Sequence, residues 1–267
     1  MFTIKEYLIA ENLDHAYEVL KKNRNNTVLG GLLWLKMGNK NINTAIDLSN
    51  LGLDKIEEDE NEFRIGCMVT LRDLEKSEAL NKYFNGSFEK SVESIVGTQF
   101  RNLATVGGSI YSRFGFSDPL TMMLALDTYV EMYNGGIIPL HEFVNMKYER
   151  DILVRIIIKK DNSKISYLTH RLSATDFPVL AVAVSLNKEG FKISVGARPN
   201  RANLAVKASS LLSENPSDEE INNACNEVVN ELVFGTNLRG SKEYRELLAK
   251  TLVKRAIKEV VGGNYAS

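Results

Sequence analysis

Gln99-Phe100-Arg101-Asn102-Leu103-Ala104-Thr105-Val106-Gly107-Gly108-Ser109-Ile110 is the stretch on which the fold turns, and it runs on through Tyr111-Ser112-Arg113-Phe114-Gly115-Phe116-Ser117 to Asp118-Pro119. A hydroxyl residue, two glycines and a small polar residue can turn several backbone N–H groups toward one anion. Glycine permits φ > 0 and close approach, and converging amides form an anion-binding concavity. Asp118 before Pro119 reads as a helix N-cap with proline at the first helical position. At the rim of such a loop its carboxylate could also accept a hydrogen bond from a sugar hydroxyl. A second glycine pair, Gly30-Gly31, follows the short strand Thr27-Val28-Leu29. It leads into Leu32-Leu33-Trp34-Leu35, apolar enough to open a buried helix or turn.

Neither pair belongs to a G-x-G-x-x-G or a G-x-x-x-x-G-K-[ST] motif, so a Rossmann dinucleotide site and a P-loop are unsupported. A chain of 267 residues can form two domains with real cores. Its 33 basic residues nearly balance 34 acidic ones, without the basic excess of a nucleic-acid or membrane-surface protein. No apolar run reaches transmembrane length and the first residues lack signal-peptide character, which predicts a cytoplasmic location. Cys67 and Cys225 are too few for a disulfide framework, a metal site or a four-cysteine iron–sulfur cluster. Both read as core residues. His15, His141 and His170 are scattered, with no nucleophile motif nearby, and read as surface or structural. Trp34 is either a core residue or a wall of a planar-cofactor pocket.

Around these loops the pattern is mixed. Asn12 caps a helix carrying Leu13, Ala16, Tyr17 and Leu20, strands are predicted at 45–48 and 63–68, and Thr70 opens one helix through Leu71, Leu74 and Leu80. This alternation predicts an α/β layer structure over the first hundred or so residues. A helix over 119–126, a strand–turn–strand over 129–138 and a β-branched strand over 152–158 follow, ending at a polar boundary, Lys159-Lys160-Asp161-Asn162-Ser163. Beyond it come a hairpin, 180–186 with 191–195, and a capping box, Ser217-Asp218-Glu219-Glu220, before an apolar helical stripe. The last helix, 241–261, stops at Gly262-Gly263. A sheet meander with two long helices makes an α+β second domain.

Q-x-R-N-x-A-T-V-G-G-S-I, with S-D nine residues after the second glycine, combines with Leu124-Ala125-Leu126-Asp127-Thr128-Tyr129-Val130 and Leu238-Arg239-Gly240-Ser241-Lys242-Glu243-Tyr244-Arg245. Together these motifs resemble the FAD-binding medium subunits of molybdenum hydroxylases, the xanthine dehydrogenase and carbon monoxide dehydrogenase flavoprotein family. The resemblance implies an α+β chain: a vanillyl-alcohol-oxidase or PCMH-type FAD-binding domain over 1–160, of two α/β subdomains (about 1–55 and 56–160), then a smaller C-terminal domain over 161–267. It implies that Leu29, Gly30, Gly31, Leu32, Leu33 and Trp34, with Thr105, Val106, Gly107, Gly108 and Ser109, hold the FAD diphosphate and adjoining groups. Asp118 would contact a sugar or ribityl hydroxyl, and Leu153 would pack near the isoalloxazine. Electrons would reach FAD from a [2Fe-2S] small subunit, after hydroxylation at a molybdopterin-binding large subunit, and leave to NAD or another acceptor.

Some residues depart from that pattern. Leu29, Leu32 and Leu33 cost the first loop its side-chain hydrogen bonds while leaving its backbone donors. Arg113 is expected to face the phosphates or a partner's acidic surface. Any positive charge near the flavin from the Tyr167-Leu168-Thr169-His170 segment would have to be His170. Two other readings stand beside electron transfer: an assembly subunit without flavin, and a stand-alone flavin oxidase.

Overall fold

The computed structural model describes residues 2–262, so Gly263 of the expected helix stop lies outside the described residues. The chain is α+β and forms three sheets in sequence order. The first unit comprises β1 (Thr3–Ile9), α1 (Leu13–Lys22), β2 (Thr27–Val28), α2 (Leu33–Met37) and β3 (Asn41–Asp47). Its strands are parallel in the order β1-β3-β2. Asn12 caps α1, its side chain accepting from the His15 N–H at 2.8 Å.

The second unit holds β4 (Ile56–Glu58), β5 (Glu62–Gly66), α3 (Leu71–Lys76), α4 (Glu78–Tyr83), α5 (Ser87–Val92), α6 (Thr98–Arg101), α7 (Val106–Tyr111) and α8 (Asp118–Leu124). It closes with β6 (Thr128–Met132), β7 (Gly136–Pro139), α9 (Leu140–Asn145) and β8 (Leu153–Lys159). Its antiparallel sheet runs β4-β5-β8-β6-β7. The central strand, β8, buries Leu153, Val154, Ile156, Ile157 and Ile158, which is why its sequence is a nearly continuous apolar run. The single helix expected after Thr70 is two: Ser77 interrupts it and caps α4 through the Leu80 N–H.

The last unit contains β9 (Lys164–His170), β10 (Leu180–Asn187), β11 (Gly190–Gly196), β12 (Asn203–Leu204), α10 (Val206–Ser210), α11 (Asp218–Glu231) and α12 (Lys242–Val260). Its antiparallel sheet has the order β12-β11-β10-β9. Strand β10 alternates by size. Leu180, Val182 and Val184 enter the core shared with α11 and α12, while Ala181 and Ala183 enter the core that contains α8. Small residues let α8 lie close: a Cβ on Gly196 would stand 2.0 Å from the Thr121 Oγ1. Every residue of α8 is buried, so this helix joins the second and third units.

The third unit is pinned by Arg245, which is fully buried. Its guanidinium donates to the carbonyls of Val179 (2.9 Å), Gly235 (2.8 Å) and Gly240, and to Asn237 Oδ1 (2.6 Å). The Leu238–Arg245 motif therefore encodes a structural clasp. Among the described residues, no helix is long and apolar enough to cross a membrane.

Candidate functional site: a cleft between the glycine loops

A cleft of about 690 Å³ runs between the first and second units and reaches the third, within the usual size of a ligand site. Leu29, Gly30, Gly31, Leu32, Leu33, Trp34, Thr105, Gly107, Gly108, Ser109, Asp118 and Leu153 all line it. Val106 does not. It is wholly buried in the main core, because the first helical residue of α7 must pack inward for the glycines to face the cleft.

The two glycine loops touch. A Cβ on Gly31 would stand 1.8 Å from the Leu103 carbonyl oxygen, and one on Gly30 would stand 2.7 Å from the Thr105 Oγ1. A Cβ on Gly107 would meet the Cys67 carbonyl oxygen at 2.6 Å. Gly31 and Gly107 are required by contacts between backbone segments, and Gly30 by the Thr105 side chain.

Their amides are used differently. From Val106 to Ser109 every N–H has an internal partner: the Val69 carbonyl at 2.8 Å, the Cys67 carbonyl at 2.9 Å, the Thr105 Oγ1 at 3.1 Å and the Thr105 carbonyl at 3.1 Å. The amides expected to converge on an anion are thus committed to capping α7 and holding it on the segment that follows β5. In the first loop the reverse holds. No N–H from Gly30 to Trp34 donates to another group among the described residues, and α2 has no side-chain cap. Leu32 adopts φ 62°, a left-handed conformation rare for a branched side chain. Strain of this kind is stored where surrounding structure enforces it. Helix α2 was expected to be buried, yet none of its residues is.

Trp34 is the side chain that holds this loop down. It is 40% exposed, with ring centroids 5.6 Å from Phe114, 5.2 Å from Phe116 and 5.7 Å from Phe177. It is a wall of the cleft, not a core residue. Phe114, Phe116 and Phe177 were missed in the sequence, although F-G-F directly before Ser117 carries two of them.

Asp118 differs from its expected role. Ser117 is the N-cap of α8, its Oγ accepting from the Leu120 N–H at 3.3 Å, and Asp118 and Pro119 occupy the first turn. Ser117 takes the cap because its side chain can reach that amide while the Asp118 carboxylate turns inward. There Arg171 Nη2 lies 2.8 Å from Asp118 Oδ1, which also accepts from the Tyr167 hydroxyl. Burial raises the Asp118 carboxyl, against the pull of Arg171 and of the Tyr167 bond. The Tyr167 phenol is pushed well above its ordinary value by burial and by the charge of Asp118.

Two more expectations need correction. Arg113 is buried, stacks 4.0 Å above the Phe143 ring and donates to the Met146 carbonyl at 2.7 Å, so it faces neither phosphate nor partner. His170 is hydrogen-bonded to the Tyr244 hydroxyl at 3.0 Å and does not line the cleft; its neighbour Arg171 does. Further positive charge along the cleft comes from Arg24, Lys40 and Arg150, none within ion-pair distance of a carboxylate among the described residues.

The family model described as the FAD binding domain in molybdopterin dehydrogenase matches residues 2–160, and the CO dehydrogenase flavoprotein C-terminal domain matches residues 166–260. The chain belongs to this flavoprotein family. It is 24% identical over 259 residues to the uncharacterized protein YgfM of Escherichia coli K12, covering 94% of each chain. It is 23% identical to the nicotine 6-hydroxylase medium subunit of Paenarthrobacter nicotinovorans, covering 95% of this chain and 96% of that one. Among solved structures, the carbon monoxide dehydrogenase of Hydrogenophaga pseudoflava superposes with a TM-score of 0.89 at 20% identity, over 99% of this chain and 100% of that one.

The residues present fit the family's cofactor. The cleft combines an apolar and aromatic lining with a run of unpaired amides and the cations Arg24, Lys40, Arg150 and Arg171, the donor set a dinucleotide with an anionic centre needs. Among the described residues no group of His, Cys, Asp and Glu could hold a metal ion.

Proposed function

We propose that this chain is the FAD-carrying electron-transfer subunit of a multi-subunit molybdenum-dependent dehydrogenase or hydroxylase. Residues 1–160 would hold the cofactor and 161–267 would close one side of its cleft. FAD supplies two-electron acceptance and onward transfer to an acceptor such as NAD. The [2Fe-2S] and molybdopterin centres would sit on partner chains. The likeness to a protein named as a medium subunit supports that division.

The observation that carries the reading is the run of free amides from Gly30 to Trp34, on residues that line a cleft together with Thr105, Gly107, Gly108 and Ser109. In this reading the first loop supplies the donors to the diphosphate. The second loop supplies the fixed wall and the Ser109 hydroxyl. The aromatic group around Trp34 excludes water at one end, and Leu153 offers an apolar surface for a flat ring. Asp118 acts by fixing Arg171 at the cleft edge.

Trp34 is the only tryptophan in the chain, so its fluorescence reports on this cleft alone. Purified protein should show the visible absorption of bound flavin, and FAD added to stripped protein should quench Trp34 emission with saturation. Colourless protein whose emission ignores FAD would identify a flavin-less assembly subunit instead.

A further inference from the structure

A second groove, of about 450 Å³, lies between α11 and α12, far along the chain from the glycine loops. Its α12 wall carries Lys250, Lys254, Arg255 and Lys258. Three of these recur every fourth residue, so they share one face over about 12 Å of helix axis. Like charges at that spacing destabilise a helix, so local structure does not explain the row. Lys254 and Arg255 lie four and three residues before Lys258, with no acid between them.

Helix α11 is rich in acids, yet apart from Asp218 at its start the polar residues it presents to this row are Asn222 and Asn226. Two of its acids are engaged elsewhere. Glu220 closes the capping box with the Ser217 N–H at 2.7 Å, and Glu231 accepts from the Lys207 and Ala208 N–H groups. Asp218 pairs with Lys258 at 2.9 Å. Across α12, Glu259 accepts from the Ser166 hydroxyl at 2.6 Å. Among the described residues no carboxylate lies within 4.0 Å of Lys250, Lys254 or Arg255, whereas Arg64, Arg72, Arg101, Arg155, Lys159, Lys160, Arg171 and Arg239 all have one. Four cations against Asp218 leave the groove strongly positive in a chain whose net charge is −1.

We propose that this groove docks an acidic segment of a partner chain of the complex, an inference that rests on the multi-subunit reading above. The chemistry favours protein carboxylates over a compact phosphate. The groove lies along the middle of two helices, where backbone N–H groups are spent within the helix, so it lacks the amide cradle phosphates use. Its cations are spread in a row, matching carboxylates spaced along a chain. Lys254 already donates to Asn222 Oδ1 at 2.9 Å, which holds its ammonium at the groove while leaving its charge uncancelled. Charged partners in such a row add steering and register to association.

The test is affinity purification of the tagged full chain from its own host, at about 50 and about 500 mM salt, across which surface charge is screened. The chain should retain an iron–sulfur or molybdopterin partner at low salt and lose much of it at high salt. Lys250→Glu with Lys254→Glu should cut retention at least tenfold with flavin content and melting temperature unchanged, and Lys76→Glu with Lys90→Glu should not. If the reversed pair misfolds, Lys250→Gln with Lys254→Gln must still weaken retention. A partner held equally by the groove variants and the parent would overturn the docking site and leave the multi-subunit reading standing. A parent chain that retains neither partner at either salt would overturn both. Saturable calorimetric binding of inorganic tripolyphosphate, abolished by the same substitutions, would reassign the groove to a small polyanion.

Discussion

Replacing Asp118 with Asn separates two jobs for one carboxylate. Asn keeps the shape and an acceptor for the Tyr167 hydroxyl, but it leaves the Arg171 guanidinium without its counter-ion. Both side chains are nearly inaccessible, at 4% for Asp118 and 8% for Arg171, and the pair is 2.8 Å apart. Breaking a buried pair by removing one partner costs about 3–5 kcal/mol, because the remaining charge is stranded. Asn softens this by accepting a neutral hydrogen bond, so the lower end, about 3 kcal/mol, applies. For a domain of this size each kcal/mol moves the melting temperature by about 2–4 °C, which gives a fall of roughly 6–12 °C. Thermal unfolding followed by circular dichroism reads the effect, and flavin absorbance on the purified variant reads cofactor retention. Asp118→Asn combined with Arg171→Met should lose less than the two single changes added together, since neither charge is then left alone. Flavin lost from Asp118→Asn with the melting temperature unmoved would refute this reasoning and return the carboxylate to direct contact with the cofactor.

Gly31→Ala places a methyl group 1.8 Å from the Leu103 carbonyl oxygen, so the two loops must part; flavin absorbance per protein should fall at least tenfold with far-ultraviolet dichroism unchanged. Thr105→Val removes the acceptor of the Gly108 N–H and should cost about 1 kcal/mol in denaturant unfolding, the usual loss for an N-cap. Glu75 is buried, which acts to raise its carboxyl, yet Arg101 at 2.7 Å and Arg72 at 2.7 Å outweigh this and lower it below the ordinary 4.5. A depressed carboxyl stabilises above its unfolded value and loses that contribution as pH falls through the folded one. Glu75→Gln should therefore melt well below the parent at neutral pH, with the gap closing as pH drops below about 4.5.

Elements announced by local chemistry were readable. The hairpin of β10 and β11, the Ser217 capping box and the Asn12 cap each depend on residues a few positions apart. The break between α3 and α4 was missed, although Leu74 to Leu80 is a spacing of six that no single helical face accommodates, with Ser77 between them. Strand β4 gave little signal because Ile56-Glu57-Glu58 is short and acidic, and it exists by pairing with β5. Strand β9 carries alternating Ile165 and Tyr167, but its place follows from its register against β10, a long-range fact.

The cleft shows the limit most clearly. The better-matched loop, Thr105 to Ser109, was expected to supply amide donors, and the leucine-rich one was the weaker half. Two of the second loop's amides, those of Gly108 and Ser109, are spent on Thr105 close by, but those of Val106 and Gly107 go to the carbonyls of Val69 and Cys67, some forty residues earlier, and no local pattern reveals these. The glycine pairs were rightly singled out, but for another reason: Gly31 and Gly107 mark places where two backbone segments meet, and Gly30 and Gly108 lie against the Thr105 hydroxyl. In the first loop, leucines at 29, 32 and 33 take nothing from the binding capacity, because the donors there are backbone groups that any side chain carries. What those leucines change is the hold on the loop. With no buried residue in α2, the loop is fastened chiefly through Trp34 against Phe114, Phe116 and Phe177. Those rings come from two distant parts of the chain, Phe114-Gly115-Phe116 and Phe177, and Phe177 belongs to the segment whose Arg171 holds Asp118. The loop with the free donors is thus tied by one indole to the third unit, and the two cannot be altered independently.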